Sequence, residues 1–173
     1  MARIFDGRLP VHYGQAYVES SDSNCIYLEE AFCGQTNGLC GAALPGVLFL
    51  ITGLHTGGVS FTLDVLSVQP PLDDSWEEIV EVAFTPGLGK VSLTDWTATQ
   101  VCDIPLLKEP YRVRYCARNM DLGDEVDTLM ENEPIVDFYS LAFWLADPAP
   151  DTVIKQTSQK AAYWHNCVQN LKL

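Results

Sequence analysis

Apolar and polar side chains alternate with a period of two along much of this chain. Val59, Phe61, Leu63 and Val65 alternate with Ser60, Thr62 and Asp64. Trp76, Val80, Val82 and Phe84 are set against Glu77, Glu81 and Thr85, and Tyr111, Val113, Tyr115 and Ala117 against Arg112, Arg114, Cys116 and Arg118. Successive strand residues face opposite sides, so this pattern predicts half-buried strands of antiparallel sheets. Turn signals separate them at Thr56-Gly57-Gly58, at residues 69–74, at Pro86-Gly87-Leu88-Gly89 and at Glu109-Pro110. Further strands are expected at 3–6, 11–19, 47–51, 91–96 and 138–145. The last is apolar on both faces (Phe138, Tyr139, Leu141, Phe143, Trp144), which predicts a central strand covered on both sides.

The end of the chain changes period. After Pro148-Ala149-Pro150, Asp151 has the chemistry of an N-cap, and Thr157, Ala161, Trp164, Val168 and Leu171 recur at helical spacing. The expected fold is therefore mainly β: one domain over 1–173, a two-sheet antiparallel β-sandwich of about eight strands with one C-terminal α-helix at about 152–171. Residues 20–45 and 119–137 read as long loops.

At 173 residues, with 47% hydrophobic and 19% charged, the chain can bury a core, which excludes global disorder. The opening residues lack the apolar stretch of a secretory signal, and the longest apolar run, Val47–Ile51 with Leu54, is too short to span a bilayer. A cytoplasmic protein is expected. Its six cysteines (Cys25, Cys33, Cys40, Cys102, Cys116, Cys167) then read as reduced thiols, and with no Cys-x-x-Cys pair no metal site or cofactor is expected.

Charge narrows the function further. The formal net charge is -13, and no Lys or Arg falls between Leu9 and Gly89, where ten acids do: Glu19, Asp22, Glu29, Glu30, Asp64, Asp73, Asp74, Glu77, Glu78 and Glu81. A field of one sign repels nucleic acid and anionic membrane and attracts basic proteins. Asp64, Asp73, Asp74, Glu77 and Glu81, with Asp124 and Asp127 as a second edge, form the expected partner-binding surface. The competing reading is a solvated sheet face whose carboxylates pair with Arg112, Arg114 and Arg118, each pair worth well under about 1 kcal/mol.

A second candidate is the Gly-rich stretch from Gly34 to Gly41. Gln35, Asn37 and Cys40, with His55 from the next loop, form a possible ligand mouth. The Gln before a Cys-Gly also invites a cysteine-hydrolase reading with His165 as base. Pro45-Gly46 argues against it, because a helix opening at Cys40 would break after one turn. His12 and His55 read as turn residues, and the acidic 121–127 loop lacks the ligand order of a calcium-binding hand.

Several motifs carry a resemblance. His12-Tyr13-Gly14-Gln15, His55-Thr56-Gly57, 76–82, 110–117 and Ala162-Tyr163-Trp164-His165 resemble a family of small uncharacterised actinobacterial proteins, over nearly the whole chain. The strand order, and a Tyr-Arg-Val-Arg-Tyr strand followed by a long loop and a late Trp-bearing strand, are similar to the competence protein J family, acidic inhibitors of a DNA-entry nuclease. That resemblance implies a non-enzymatic inhibitor or immunity-type protein acting on a nuclease or toxin. A small-molecule-binding sandwich is the alternative.

Overall fold

The computed structural model describes residues 2–21 and 26–171; Asp22 and Cys25 lie outside them. Among the described residues eleven strands form two sheets. The first contains β1 (Ala2–Val11), β5 (Gly57–Leu66), β6 (Glu78–Phe84), β9 (Tyr111–Arg118), β10 (Phe138–Leu145) and β11 (Thr152–Lys155), in spatial order β1-β5-β10-β9-β6-β11. The second contains β2 (Gln15–Ser20), β3 (Cys40–Gly41), β4 (Val47–Ile51), β7 (Val91–Thr94) and β8 (Gln100–Ile104), in order β3-β4-β2-β7-β8.

The expected mainly β, two-sheet architecture is present, with one correction. β10 runs parallel to β5, pairing Phe138 with Ser60 through Trp144 with Leu66, while every other pair is antiparallel. As expected from its two apolar faces, β10 is internal, between β5 and β9.

The core lies between the sheets. Val59, Phe61 and Leu63 meet Tyr139, Leu141 and Phe143 along the first sheet, and Ala16, Val18, Leu48, Leu50 and Leu93 close it from the second. All five residues of β4 are buried because its outer face is covered as well. The residues expected as a loop at 20–45 supply that cover: α1 (Leu28–Ala31) leads into Phe32, whose ring packs 5.7 Å from that of Phe49.

The C-terminal helix starts later than its spacing suggests. Thr152, Val153 and Ile154 are β-branched, which stiffens them for extended backbone, and they form β11 against β6. The helix α3 (Gln159–Gln169) is capped by Ser158, whose side chain accepts from the Ala161 amide at 3.1 Å. Asp151 is not its N-cap. Its carboxylate instead accepts from the Thr36 and Asn37 amides at 2.8 and 2.7 Å, tying residues 36–37 to the segment before β11. Residues 119–137, expected as a loop, contain α2 (Met120–Val126).

No helix among the described residues is long and apolar enough to cross a membrane.

Candidate functional site

One end of the sandwich gathers the unusual chemistry. β1 ends there at Val11 beside Gly57, the start of β5. β9 ends at Arg118 opposite Phe138, the start of β10, and β6 begins next to Ala117. In the second sheet Gln15 pairs with Ile51 and Tyr17 with Thr94, which brings the turns after β1, β4 and β7 to the same end.

The turn Tyr13-Gly14 has φ +54 and +62, the two left-handed positions of a tight hairpin turn. Glycine accepts that conformation freely; tyrosine does not. Neighbouring backbone holds the tip: the Gly14 amide donates to the His55 carbonyl, and the Thr52 amide to the Gly14 carbonyl, each at 2.9 Å. The other non-glycine residues with positive φ are Ala98, Asn119 and Asp127. All four lie at this end, on three connections between strands, at a cost of about 1–3 kcal/mol each. Backbone strain of this kind persists where the surroundings over-determine it, and it concentrates at binding surfaces.

An aromatic cluster sits on the strained turns. The His12 ring is 4.2 Å from Tyr13, 4.9 Å from Trp96 and 5.7 Å from His55. Tyr13 completes the group at 5.1 Å from His55 and 5.2 Å from Trp96. Both imidazoles place Nδ1 2.8 Å from one hydroxyl, Thr56 Oγ1. Tyr13 and Trp96 are 53% and 39% exposed as residues, so the cluster faces outward.

The acid-rich segment after β9 packs alongside. The Asp127 carbonyl accepts from the His55 and Thr56 amides at 3.0 Å, and Arg8 reaches the Met130 and Glu133 carbonyls. At the base of this segment the buried Asp137 accepts from the Leu54 amide at 3.0 Å and from the Tyr139 hydroxyl at 2.7 Å. Burial raises the Asp137 carboxyl above its ordinary value, against the pull of these two bonds. Asp121, Asp124, Glu125, Asp127, Glu131 and Glu133 are all exposed. Asp121 also caps α3 by accepting from the Gln159 and Lys160 amides, and Asp124 pairs with Lys160.

The expected partner-binding acids divide. Asp73 and Asp74 are exposed; two hydrogen bonds from Ser75 hold the Asp73 carboxyl below its ordinary value, helped by the charges of Arg118 and Lys155. Glu77 is half-buried and accepts from the Asn119 amide at 2.9 Å, which joins the Asp73–Asp74 turn to the acid-rich segment. Glu81 and Asp64 leave the exposed set. Glu81 stands opposite Arg114 and bridges Arg112 at 3.2 Å and Arg114 at 2.8 Å, with all three side chains at most a tenth exposed. Pro70 and Pro71 carbonyls and the Ala149 carbonyl complete the guanidinium contacts, so this polar face is covered and not solvated. Asp64 is paired with Arg3 at 2.6 Å and nearly buried. Arg118 stacks on Phe138 and Trp76, 4.9 and 5.6 Å from the ring centres.

The second candidate closes on itself. Gln35 and Asn37 spend their side chains on the backbone of residues 39–42, with Asn37 donating also to the Asp151 carboxylate, and Asn37 is fully buried. Cys40 opens a strand, not a helix, and its buried thiol is pushed far above the ordinary range, chiefly by desolvation. A nucleophilic cysteine needs the opposite shift. His165 accepts from the Gly38 amide at 2.8 Å through Nδ1, which occupies the nitrogen a base would use. His55 bonds Thr56 and meets His12 and Tyr13 edge-on instead. Among the described residues no group of three His, Cys, Asp or Glu is arranged to hold a metal ion.

Sequence reasoning missed the roles of Tyr13, Thr56 and Trp96. The Tyr13-Gly14 pair was the available signal, because an X-Gly pair between alternating segments marks a tight hairpin tip.

No family model matches the chain, and no curated protein matches it by sequence, so the actinobacterial resemblance gains no support. Two solved structures share its fold. One is ComJ of Bacillus subtilis, described as the inhibitor of the DNA degrading activity of NucA, with 17% identity over 84% of this chain and 98% of that one, at a TM-score of 0.56. The fold is ComJ-like. The other is the crocagin biosynthetic gene J product, with 12% identity over 85% of this chain and 100% of that one, at a TM-score of 0.51. At these identities the ComJ likeness is one of fold alone, and it assigns no residue of this chain a role.

Proposed function

We propose that this chain is a non-enzymatic inhibitor or immunity-type protein that occupies the basic cleft of a nuclease or toxin. The observation that carries the reading is the exposed, acid-rich end of a fold shared with a nuclease inhibitor. Asp73, Asp74, Asp124 and Asp127 are the carboxylates assigned to the interface, joined by Glu125. Presented together they mimic the phosphates that a nuclease cleft receives. Long-range attraction speeds encounter, and affinity is left to packed anchors inside the patch. Glu81 and Asp64 serve the fold in this reading, because a buried, paired carboxylate offers nothing to a partner.

The test is recovery of the tagged protein from its native cell at low and at moderate salt. The expected companion is a basic protein that degrades DNA, leaves as salt rises, and loses its activity when this chain is added back. A companion without nuclease or toxin activity, or one indifferent to added chain, overturns the reading.

One observation favours a ligand-binding alternative. A groove of about 620 Å³ crosses the outer face of β2, β7 and β8, lined by Tyr17, Glu19, Ser92, Thr94 and Gln100 among others. The buried Thr94 hydroxyl there has no hydrogen-bond partner among the described residues. Thermal stabilisation by a metabolite, abolished by Thr94→Val, would establish that reading.

A further inference from the structure

We propose that the ring cluster of His12, Tyr13, His55 and Trp96 is the anchor that receives an arginine side chain of the partner protein. The proposal rests on the inhibitor reading for the identity of the partner, but its chemistry is set by the cluster itself.

Proton counting at Thr56 comes first. A threonine hydroxyl has one hydrogen, and two imidazole Nδ1 atoms lie 2.8 Å from it. The hydroxyl donates to at most one of them, so at least one neutral ring must carry its proton on Nδ1 and donate to the oxygen. That ring has a bare Nε2, a hydrogen-bond acceptor. With both rings neutral, the arrangement supplies one such acceptor beside the exposed Tyr13 and Trp96.

Charge then selects what binds. The segments that build this end, residues 11–15, 52–56, 95–99 and 119–137, contain no Lys or Arg. The cations around this end have partners: Arg8 donates to two carbonyls, Lys160 pairs with Asp124, and Lys90, in a groove shared with Trp96, pairs with Asp103. A cation approaching the rings meets ring acceptors and the exposed carboxylates of the acid-rich segment, with Lys90 and Lys160 already paired to carboxylates.

Arginine fits better than lysine. Its planar guanidinium stacks on an aromatic face while its five N–H groups reach sideways, here to the bare nitrogen and the flanking carboxylates. An ammonium offers a point charge without the flat face. The same stacking already occurs within this fold, where Arg118 lies 4.9 Å over the Phe138 ring. The strained Tyr13 turn gives the cluster its rigidity, so little ordering remains for the binding step.

The probe is a ten-residue peptide of alternating glycine and arginine, compared with its lysine counterpart, followed by NMR of the Trp96 indole and the two imidazoles. Tyr13→Asn with Trp96→Ala removes both exposed rings, and asparagine tolerates the left-handed backbone at position 13. His55→Phe keeps a ring and removes its nitrogens. Circular dichroism confirms that each variant is folded. The arginine peptide should bind several-fold more tightly than the lysine peptide, and the double variant should weaken it roughly tenfold, as loss of an aromatic hot spot does. Equal binding of the two peptides, or unchanged affinity in the folded double variant, overturns the proposal. The two readings fail separately. If the arginine peptide binds through the rings and no nuclease is inhibited, the anchor stands and the inhibitor reading falls. If a nuclease is inhibited equally by wild type and by the double variant, the anchor falls and the inhibitor reading stands.

Discussion

Gly38 donates its backbone N–H to Nδ1 of His165 across 2.8 Å, in a buried site. The bond joins the glycine-rich loop to the last helix, and it requires a neutral imidazole. Burial pulls the His165 pKa below its ordinary value, and the nearby Asp151 charge only partly opposes this. The folded-state value is thus lower than the unfolded one, about 6.5. Its contribution to stability is complete above that unfolded value and is lost as pH falls through the folded one. The urea midpoint should fall between pH 7 and pH 5 in the wild type, and fall less in His165→Gln. Parallel pH profiles would show that His165 does not titrate across the unfolding transition.

Glu81 holds two guanidiniums in a covered layer, so its removal leaves both without a counter-charge. Breaking a buried ion pair from one side costs about 3–5 kcal/mol. Glu81→Ala should therefore lower stability by about that amount in chemical denaturation. A loss below about 1 kcal/mol would mean that water reaches Arg112 and Arg114.

Two glycines should respond differently to alanine. A Cβ at Gly53 would overlap the Met120 carbonyl, where α2 lies against the β4–β5 connection. Gly53→Ala should cost about 1–3 kcal/mol or more through overpacking, and it should disturb the acid-rich segment first. Gly34 has open space around it and φ +72, so Gly34→Ala should cost only the left-handed backbone penalty, about 1–2 kcal/mol. Melting temperatures of the two variants check the order.

Thiol chemistry separates the hydrolase reading from the rest. Cys33 is exposed, whereas Cys40 is buried and its thiol is held protonated. Iodoacetamide at neutral pH should modify Cys33 quickly and Cys40 only after unfolding. Rapid alkylation of Cys40 in the native protein would reinstate it as a candidate nucleophile.

Strands with an uninterrupted pattern were legible in the sequence, and Val47–Ile51, Tyr111–Arg118 and Phe138–Leu145 begin and end where their patterns do. β8 and β11 were not legible, because Gln100–Ile104 and Thr152–Lys155 are short edge strands with half-exposed residues and no sustained alternation. Alternation also says nothing about what lies over a polar face. Glu81 and Arg114 read as a solvated pair, yet the Pro70–Pro71 carbonyls and residues from 149 onward cover them. The acids at Asp73, Asp74, Asp124 and Asp127 were legible as charge. The contact of Asp127 with His55 and Thr56 was not, since it depends on separate connections meeting at one end.

The parallel seat of β10 has a consequence for a chain made from its N-terminus onward. β1 with β5, and β6 with β9, assemble as two antiparallel pieces, and only β10 joins them. Until residues 138–145 leave the ribosome, β5 and β9 each keep an unpaired edge able to recruit a neighbouring chain. Synthesis halted before Phe138 would leave two adhesive fragments of one sheet, so the safety of the nascent protein rests on a strand encoded after both of them.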